Sequence, residues 1–369
     1  MSACLPFLSL KSRQSQQGMV LILVLLIVAL VVGLSVKYAS QFQLGMARAE
    51  SRWASTQAKS LLLASEEVAI LLFPLADIDP NMDYPDEPWR NEVPLTDEGV
   101  EGVARLFDAQ AQLNLNDLGK PIDPASLAGA PERYSESQRQ FIRLLQTFPQ
   151  EMPISQLEAE NMMEAVVDWM DEDPDETGSG GAEANYYQGM PEPYLPANGP
   201  FRSVDELRLV RGFNEKPELV ELLQPYITVL PKPGLGLSVN DIPPDNPMGL
   251  PGVNHLRLSI NSKSLLVPLS DQQAQTFLLS RPETGYSTEA DFGDSWRKSM
   301  GDEIDLSGYK VKTEYFWLES TVQMGDQRRQ MRSLMQRENT SLKVIQRRMM
   351  YELPRVVQGK KDNDSELKL

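Results

Sequence analysis

Residues 16–36 read QQGMVLILVLLIVALVVGLSV, and the rest of the chain is organised around them. From Met19 to Val36 there is no charged side chain. A helix rising 1.5 Å per residue over this run spans about 27 Å, just short of a bilayer core. The residues ahead of it, MSACLPFLSLKSRQSQQG, carry only Lys11 and Arg13 as charges, and Lys37 closes the run. Basic residues before an apolar run stay cytoplasmic and send the remainder across. A cleaved secretory signal needs a shorter apolar core followed by a small-residue cleavage site, and the nearest candidate, Lys37–Ser40, is poor. A plain signal anchor is the second reading.

A third reading is a prepilin-type signal, cut on the cytoplasmic side after a glycine, so that the apolar helix is retained. Gly18 followed by Met19 fits it. Downstream, Met46, Ala49 and Trp53, then Leu61, Ala64, Val68 and Leu71, recur at helical spacing. No proline falls between Pro6 and Pro74. One helix is therefore expected from Met19 to about Phe73, half in a membrane and half against a folded body. This two-part helix resembles that of type IV pilins and pseudopilins. Major pilins carry a glutamate at the fifth mature position, which neutralises a neighbour's terminal amine; here that position is Leu23. An interior subunit without it leaves a buried charge unpaired, so the resemblance implies a position at the filament tip.

The chain has 369 residues and a net charge of -17, from 52 acids and 35 bases. Two or three units are expected behind the anchor. Nucleic-acid binding rests on Lys and Arg neutralising phosphates, and this charge opposes it. Divalent cations or basic partner surfaces suit it better. The single cysteine, Cys4, lies in the leader, so a chain cut after Gly18 has no disulfide.

Residues 74–99 are rich in Pro, Asp and Glu and read as a linker. Val100–Asn116 reads as extended, with a break at Asp108. Helical patterns follow over 135–170, then an acidic Gly/Pro loop over 171–200. Ser203 and Glu206 suggest a capping box, Gly212 a helix end and Asn214 a new helix, as in helix–hairpin–helix and SAM-like units. A similar unit spans Asp271–Phe292. No basic stripe accompanies these hairpins, so they read as packing modules. Residues 309–353 alternate as three antiparallel strands with turns at Asp326 and Asn339. They are expected to pair with the Val100–Asn116 strands in a sheet against the N-terminal helix.

Seven acids, Asp168, Asp171, Glu172, Asp173, Asp175, Glu176 and Glu183, fall between Arg143 and Arg202 with no Lys or Arg among them. Crowded hard oxygens suit calcium. Asp171, Asp173 and Asp175 match the first three ligand positions of an EF-hand, but Glu176 replaces its glycine and Ala182 its last ligand. A loop calcium site and a solvated acidic loop both remain open. His255 is the lone histidine and has no HExxH or GxSxG context, so no enzyme is expected.

Taken together, QQG–MVLILVLL, FDAQAQLNLNDL (107–118), DWMDEDPDETGSGGAEANYY (168–187), YLPANGPFRSVDELRLVRGF (194–213), HLRLSINSKSLLVPLS (255–270) and YFWLEST (315–321) resemble, in order, the general secretion pathway protein K family, minor pseudopilins of type II secretion. The resemblance implies an α+β fold: a long N-terminal helix on a pilin-like antiparallel sheet, with a large, mainly helical insertion. The expected layout is a leader over 1–18, a transmembrane helix over 19–36, its periplasmic continuation over 37–73 and a pilin-like α/β domain from 100–118 and 305–357. An inserted domain of two SAM-like units covers 119–304, and a disordered tail covers 358–369. It further implies cleavage at Gly18, N-methylation of Met19, and calcium near Asp171, Asp173, Asp175 and Glu183. The implied protein is a single-pass inner-membrane one with a periplasmic body, capping the pseudopilus tip. It starts pseudopilus assembly and supports export of folded proteins across the outer membrane. Its implied partners are the I and J minor pseudopilins, the major pseudopilin, prepilin peptidase and the inner-membrane secretion platform. The alternatives are a type IV pilus minor pilin and a membrane-tethered calcium-binding periplasmic protein. One departure stands out: SINSKSLL replaces the family's INVNTA-like segment.

Overall fold

The computed structural model describes residues 16–350 apart from 77, 80, 97–99, 124–125, 128 and 325–326. The leader through residue 15 with Cys4, the turn at Asp326 and the tail 358–369 lie outside the described residues. Helix α1 runs Gln16–Leu72, with Pro74 in the short 3-10 turn that follows it. Its charge-free run is bare: from Met19 to Val36 the large apolar side chains are all exposed. Among the described residues it is the one helix long and apolar enough to cross a membrane.

From Leu61 onward the buried face of α1 is Leu62, Ser65, Glu66 and Ala69, continued by Phe73 in the 3-10 turn. This corrects the face expected from apolar spacing, since Ala64 and Leu71 are exposed and Leu61 and Val68 only half-buried. The reason is polar pairing. Ser65 shares a 2.6 Å hydrogen bond with Ser320, and Ser333 donates to Glu66 at 2.5 Å. The displaced apolar flank, Val68, Leu72 and Leu75, instead lines a groove of about 270 Å³ with Trp89, Val93 and Leu106.

The sheet contains β1 (Val93–Pro94) and β2 (Val100–Asp108) from one end of the chain. The short strands β3 (Leu113–Asn114), β4 (Ile227–Thr228), β5 (Leu237–Ser238) and β6 (Tyr309–Lys310) lie outside it. From the other end come β7 (Tyr315–Met324), β8 (Gln327–Glu338) and β9 (Ser341–Met350). The order is β1-β2-β7-β8-β9, antiparallel throughout, with Asp108 opposite Phe316. Asn339 takes the left-handed φ of 58° that the β8–β9 turn requires. Phe316 packs edge-on against Phe73 at 5.2 Å and Trp89 at 4.9 Å, which ties strand, helix and linker together.

The QLNLN strand expected up to Asn116 and the Tyr309–Lys310 start of the first C-terminal strand do not join this sheet. The Asp108 side chain accepts the Gln110 N–H at 2.7 Å and turns the chain away. β3 then pairs parallel with β4, and β6 parallel with β5. Asn114, Asn116 and Asp117 are buried because they hold backbone. Asn116 Nδ2 donates to the Leu230 and Phe201 carbonyls, and Asp117 accepts the Gly234 and Gly236 N–H groups at 2.7 and 3.0 Å.

Everything from Ala109 to Glu314 thus lies between two neighbouring strands, β2 and β7. This part contains α2 (Glu136–Leu145), α3 (Gln156–Met170), α4 (Ala184–Gln188), α5 (Pro217–Leu223), α6 (His255–Leu258), α7 (Asp271–Leu279) and α8 (Glu289–Met300). Its buried side chains form one continuous cluster from Leu113 to Val311. Ser135, Ser270 and Thr288 close capping boxes with Gln138, Gln273 and Asp291. The box expected at Ser203 and Glu206 does not form: Ser203 caps Asp205, Glu206 accepts the Arg202 N–H, and Val204–Leu209 is a 3-10 turn. Gly212 turns the chain with φ +85°, but the next helix starts at Pro217, whose ring suits a first turn, rather than at Asn214.

Arg143 explains the departing SINSKSLL segment. This side chain is fully buried on α2. It pairs with Glu136 at 2.9 Å and donates to the carbonyls of Ser259, Ser262 and Leu265 at 3.1, 2.8 and 2.9 Å. The turn meets Arg143 with backbone oxygens, a contact that does not depend on which side chains the segment carries. Asn261 holds the turn from both ends of its amide, donating to the Val267 carbonyl at 2.8 Å and accepting the Ser262 N–H at 2.8 Å.

Candidate functional site

The first candidate region is the N-terminal junction. Gly18, Met19 and Leu23 all lie within α1. Leu23 is 59% exposed, in a stretch where no acid offers a countercharge to an amine.

The second is the acidic loop, which is built from α3. Glu164 and Asp168 stand one turn apart on the same face of that helix. Glu164 accepts the Gly180 N–H at 2.8 Å and the Arg133 guanidinium at 2.6 Å. Asp168 accepts the Ala182 N–H at 2.7 Å and the Thr177 N–H at 3.1 Å. Arg211 donates to the Gly181 carbonyl at 2.6 Å from the other side. The glycines are obligatory at this grip. A Cβ on Gly180 would lie 2.2 Å from the Asn161 backbone, and one on Gly181 2.4 Å from an Asp168 oxygen.

This clamp brings Asp171 and Glu183 to the two ends of the loop beside Asp168. Asp171 Oδ1 and Glu183 Oε1 are buried and meet no donor. Burial, then the Asp173 and Asp168 charges, push the Asp171 carboxyl up to about 6. Burial, then Asp168 and Asp171, push Glu183 up to about 7. Burial also raises Asp168, against the hydrogen bonds from Thr177 and Ala182. Asp173 is exposed but contributes to both fields. Asp175 stands apart: it is exposed and gives its N–H to Asp173 Oδ1 at 3.0 Å. Among the described residues no three ligand side chains converge at metal-holding spacing. The loop therefore offers uncompensated carboxylate oxygens rather than a closed cage, which is the donor chemistry of a hard cation. Sequence reading passed over Asp168 as a positioning group, although its place one turn after Glu164 was visible.

His255 is a core residue. It stacks on Phe148 at 4.3 Å and meets Tyr226 edge-on at 5.2 Å, and burial lowers its pKa.

Comparison with known proteins places this geometry in context. The family model for type II secretion system protein K matches residues 111–232, the first half of the inserted part. The type II secretion system protein K of Klebsiella pneumoniae is 30% identical over 340 residues, covering 90% of this chain and 96% of that one. The Aeromonas hydrophila protein K is 28% identical, covering 92% and 98%. A chain from the crystal structure of the GspK-GspI-GspJ complex of enterotoxigenic Escherichia coli has a similar fold, with a TM-score of 0.64 at 20% identity over 82% of this chain and 99% of that one.

Proposed function

This chain belongs to the type II secretion system protein K family, a minor pseudopilin of that apparatus, and from this we propose that it caps the pseudopilus tip and starts its assembly. The observation that carries the tip position is Leu23. A subunit inside the filament would face its neighbour's terminal amine with no carboxylate to receive it. A subunit at the leading end has no neighbour above to serve. The chain acts as a structural component of secretion, and in this reading it promotes export of folded proteins across the outer membrane. Prepilin peptidase cuts after Gly18 and Met19 is N-methylated. The apolar helix holds the chain in the inner membrane with its body in the periplasm. Its partners are the I and J minor pseudopilins, as in the similar Escherichia coli complex, together with the major pseudopilin and the inner-membrane platform.

Calcium is the proposed cofactor. Asp171 and Glu183 would hold it, with Asp173 reaching in from the loop, and its charge would relieve the repulsion that raises both buried carboxyls. Asp168 keeps the loop in place for it by its backbone hydrogen bonds.

Immunogold labelling of filaments from cells that overproduce the pseudopilus tests the tip position. Label on this chain at one end of each filament is expected. Label along the length would contradict it.

A further inference from the structure

Where the sheet meets the inserted part, four carboxyl groups are buried with two guanidinium groups. Asp83, Glu87 and Arg90 come from the linker after α1, Asp108 from the end of β2, Asp241 from the turn after β5, and Arg337 from β8. Arg337 pairs with Asp83 at 2.6 Å, and the Thr313 N–H donates to the same carboxylate at 2.6 Å. Glu87 accepts the Trp89 indole N–H at 2.7 Å. Arg90 pairs with Asp241, and Ser238 Oγ donates to Asp241 Oδ2 at 3.4 Å. These contacts leave two carboxylate oxygens over, Glu87 Oε1 and Asp108 Oδ2. Asp108 Oδ2 is buried, meets no donor, and has the Asp241 carboxyl as its neighbour. Asp108 is 7% exposed and the Asp241 side chain 2%. Two carboxylates in contact and away from water cannot both stay ionised.

We propose that Asp241 keeps a proton and donates it to Asp108 Oδ2, and that this hydrogen bond fastens the inserted helical part to the sheet as a pH-sensitive latch. Asp108 belongs to the frame and Asp241 to the insertion, so losing the proton to water sets two buried negative charges against each other across the junction. The direction of the local pKa values agrees. Burial, then Asp108, raises Asp241 far above the ordinary carboxyl range, burial raises Asp83, and burial with Asp83 lifts Glu87 to about 7. The neighbouring acids therefore do not lower Asp241. Arg90 and Arg337 are the opposing charges, and two cations cannot balance four carboxylates.

The test is hydrogen exchange on the full-length chain in detergent, followed at the junction amide of Asp83, which donates to the Val311 carbonyl. In the wild type, protection corrected for intrinsic chemistry should fall by up to about tenfold per pH unit from pH 6 upward, for as long as the closed junction keeps a proton that the opened chain has lost, and level off once the closed junction loses it too. Asp108→Asn replaces that proton with a permanent N–H donor and keeps the oxygen that caps Gln110. Its protection should stay flat at the wild-type low-pH level. The same pH dependence in the variant, or protection lost at every pH, would overturn the latch. If Asp108→Asn does not fold, Asp241→Asn serves with infrared spectroscopy. One fewer protonated carboxyl band at pH 7 is expected, and an unchanged band would overturn the proposal.

Discussion

Glu66 on α1 accepts a hydrogen bond from Arg347 Nε on β9 at 2.8 Å, while its second oxygen meets Nη2 of the same guanidinium. The carboxylate is 3% exposed and the arginine 44%, so one partner sits in the core and the other reaches in from water. Glu66→Ala should cost about 2 kcal/mol, because Ser333 then loses its acceptor inside the helix–sheet interface. Arg347→Ala should cost less than a fully buried pair would, about 1–2 kcal/mol, since solvent screens its half. A double-mutant cycle by thermal unfolding should give a coupling of about 1 kcal/mol; additive losses would place the two groups outside one interaction.

Arg143 is the strictest side chain in the inserted part. Arg143→Met should cost about 3–5 kcal/mol, since it strips Glu136 of a buried partner and orphans three carbonyls of the 259–265 turn. Arg143→Lys should not restore stability, because an ammonium cannot reproduce the planar fork. Wild-type melting of the lysine variant would refute that role.

Gly181 in the acidic loop and Gly45 on α1 make a sharper contrast. Gly181→Ala drives a methyl against Asp168 and should lower stability by about 2 kcal/mol or more, with loss of exchange protection over 177–182. Gly45→Ala meets open space on a helix and should be neutral or stabilising, by up to about 1 kcal/mol. Equal effects at the two positions would mean that the clamp does not constrain the loop.

Asp171 and Glu183 give a pH dependence whose sign is set by their raised carboxyls. With folded values of about 6 and about 7 against ordinary values of 3.8 and 4.5, their stabilising contribution is complete below about pH 4 and is lost as pH climbs through 6 to 7. In chelator, the melting temperature should therefore decline across that window. Millimolar calcium, which binds the ionised forms, should reverse the decline near pH 8 and do little near pH 5. Asp171→Asn with Glu183→Gln should abolish both effects. Calcium stabilisation that survives this double substitution would move the site elsewhere.

Much of the frame was legible in the residues. The apolar run, the proline-free stretch to Pro74 and the alternating strands ending at Asn339 each follow from one local rule. What escaped depends on partners far away in sequence. The buried face of α1 was misplaced by one residue because Ser65 and Glu66 look like surface residues until Ser320, Ser333 and Arg347 are set against them. QLNLN alternates like a strand, yet its asparagines are buried to satisfy the 230–236 turn. In the acidic loop the pattern of aspartates was visible, but the division of labour was not. Asp168 grips backbone, Asp171 and Glu183 carry unpaired oxygens, and Asp175 is exposed, with its N–H on Asp173.

The identity of the mature N-terminus tests the central claim most directly. Mass spectrometry of the protein extracted from membranes should find a chain that begins at Met19 and carries one N-methyl group, with the apolar helix retained. An intact Met1, or a chain cut after residue 36, would contradict a pseudopilin that keeps this helix for assembly.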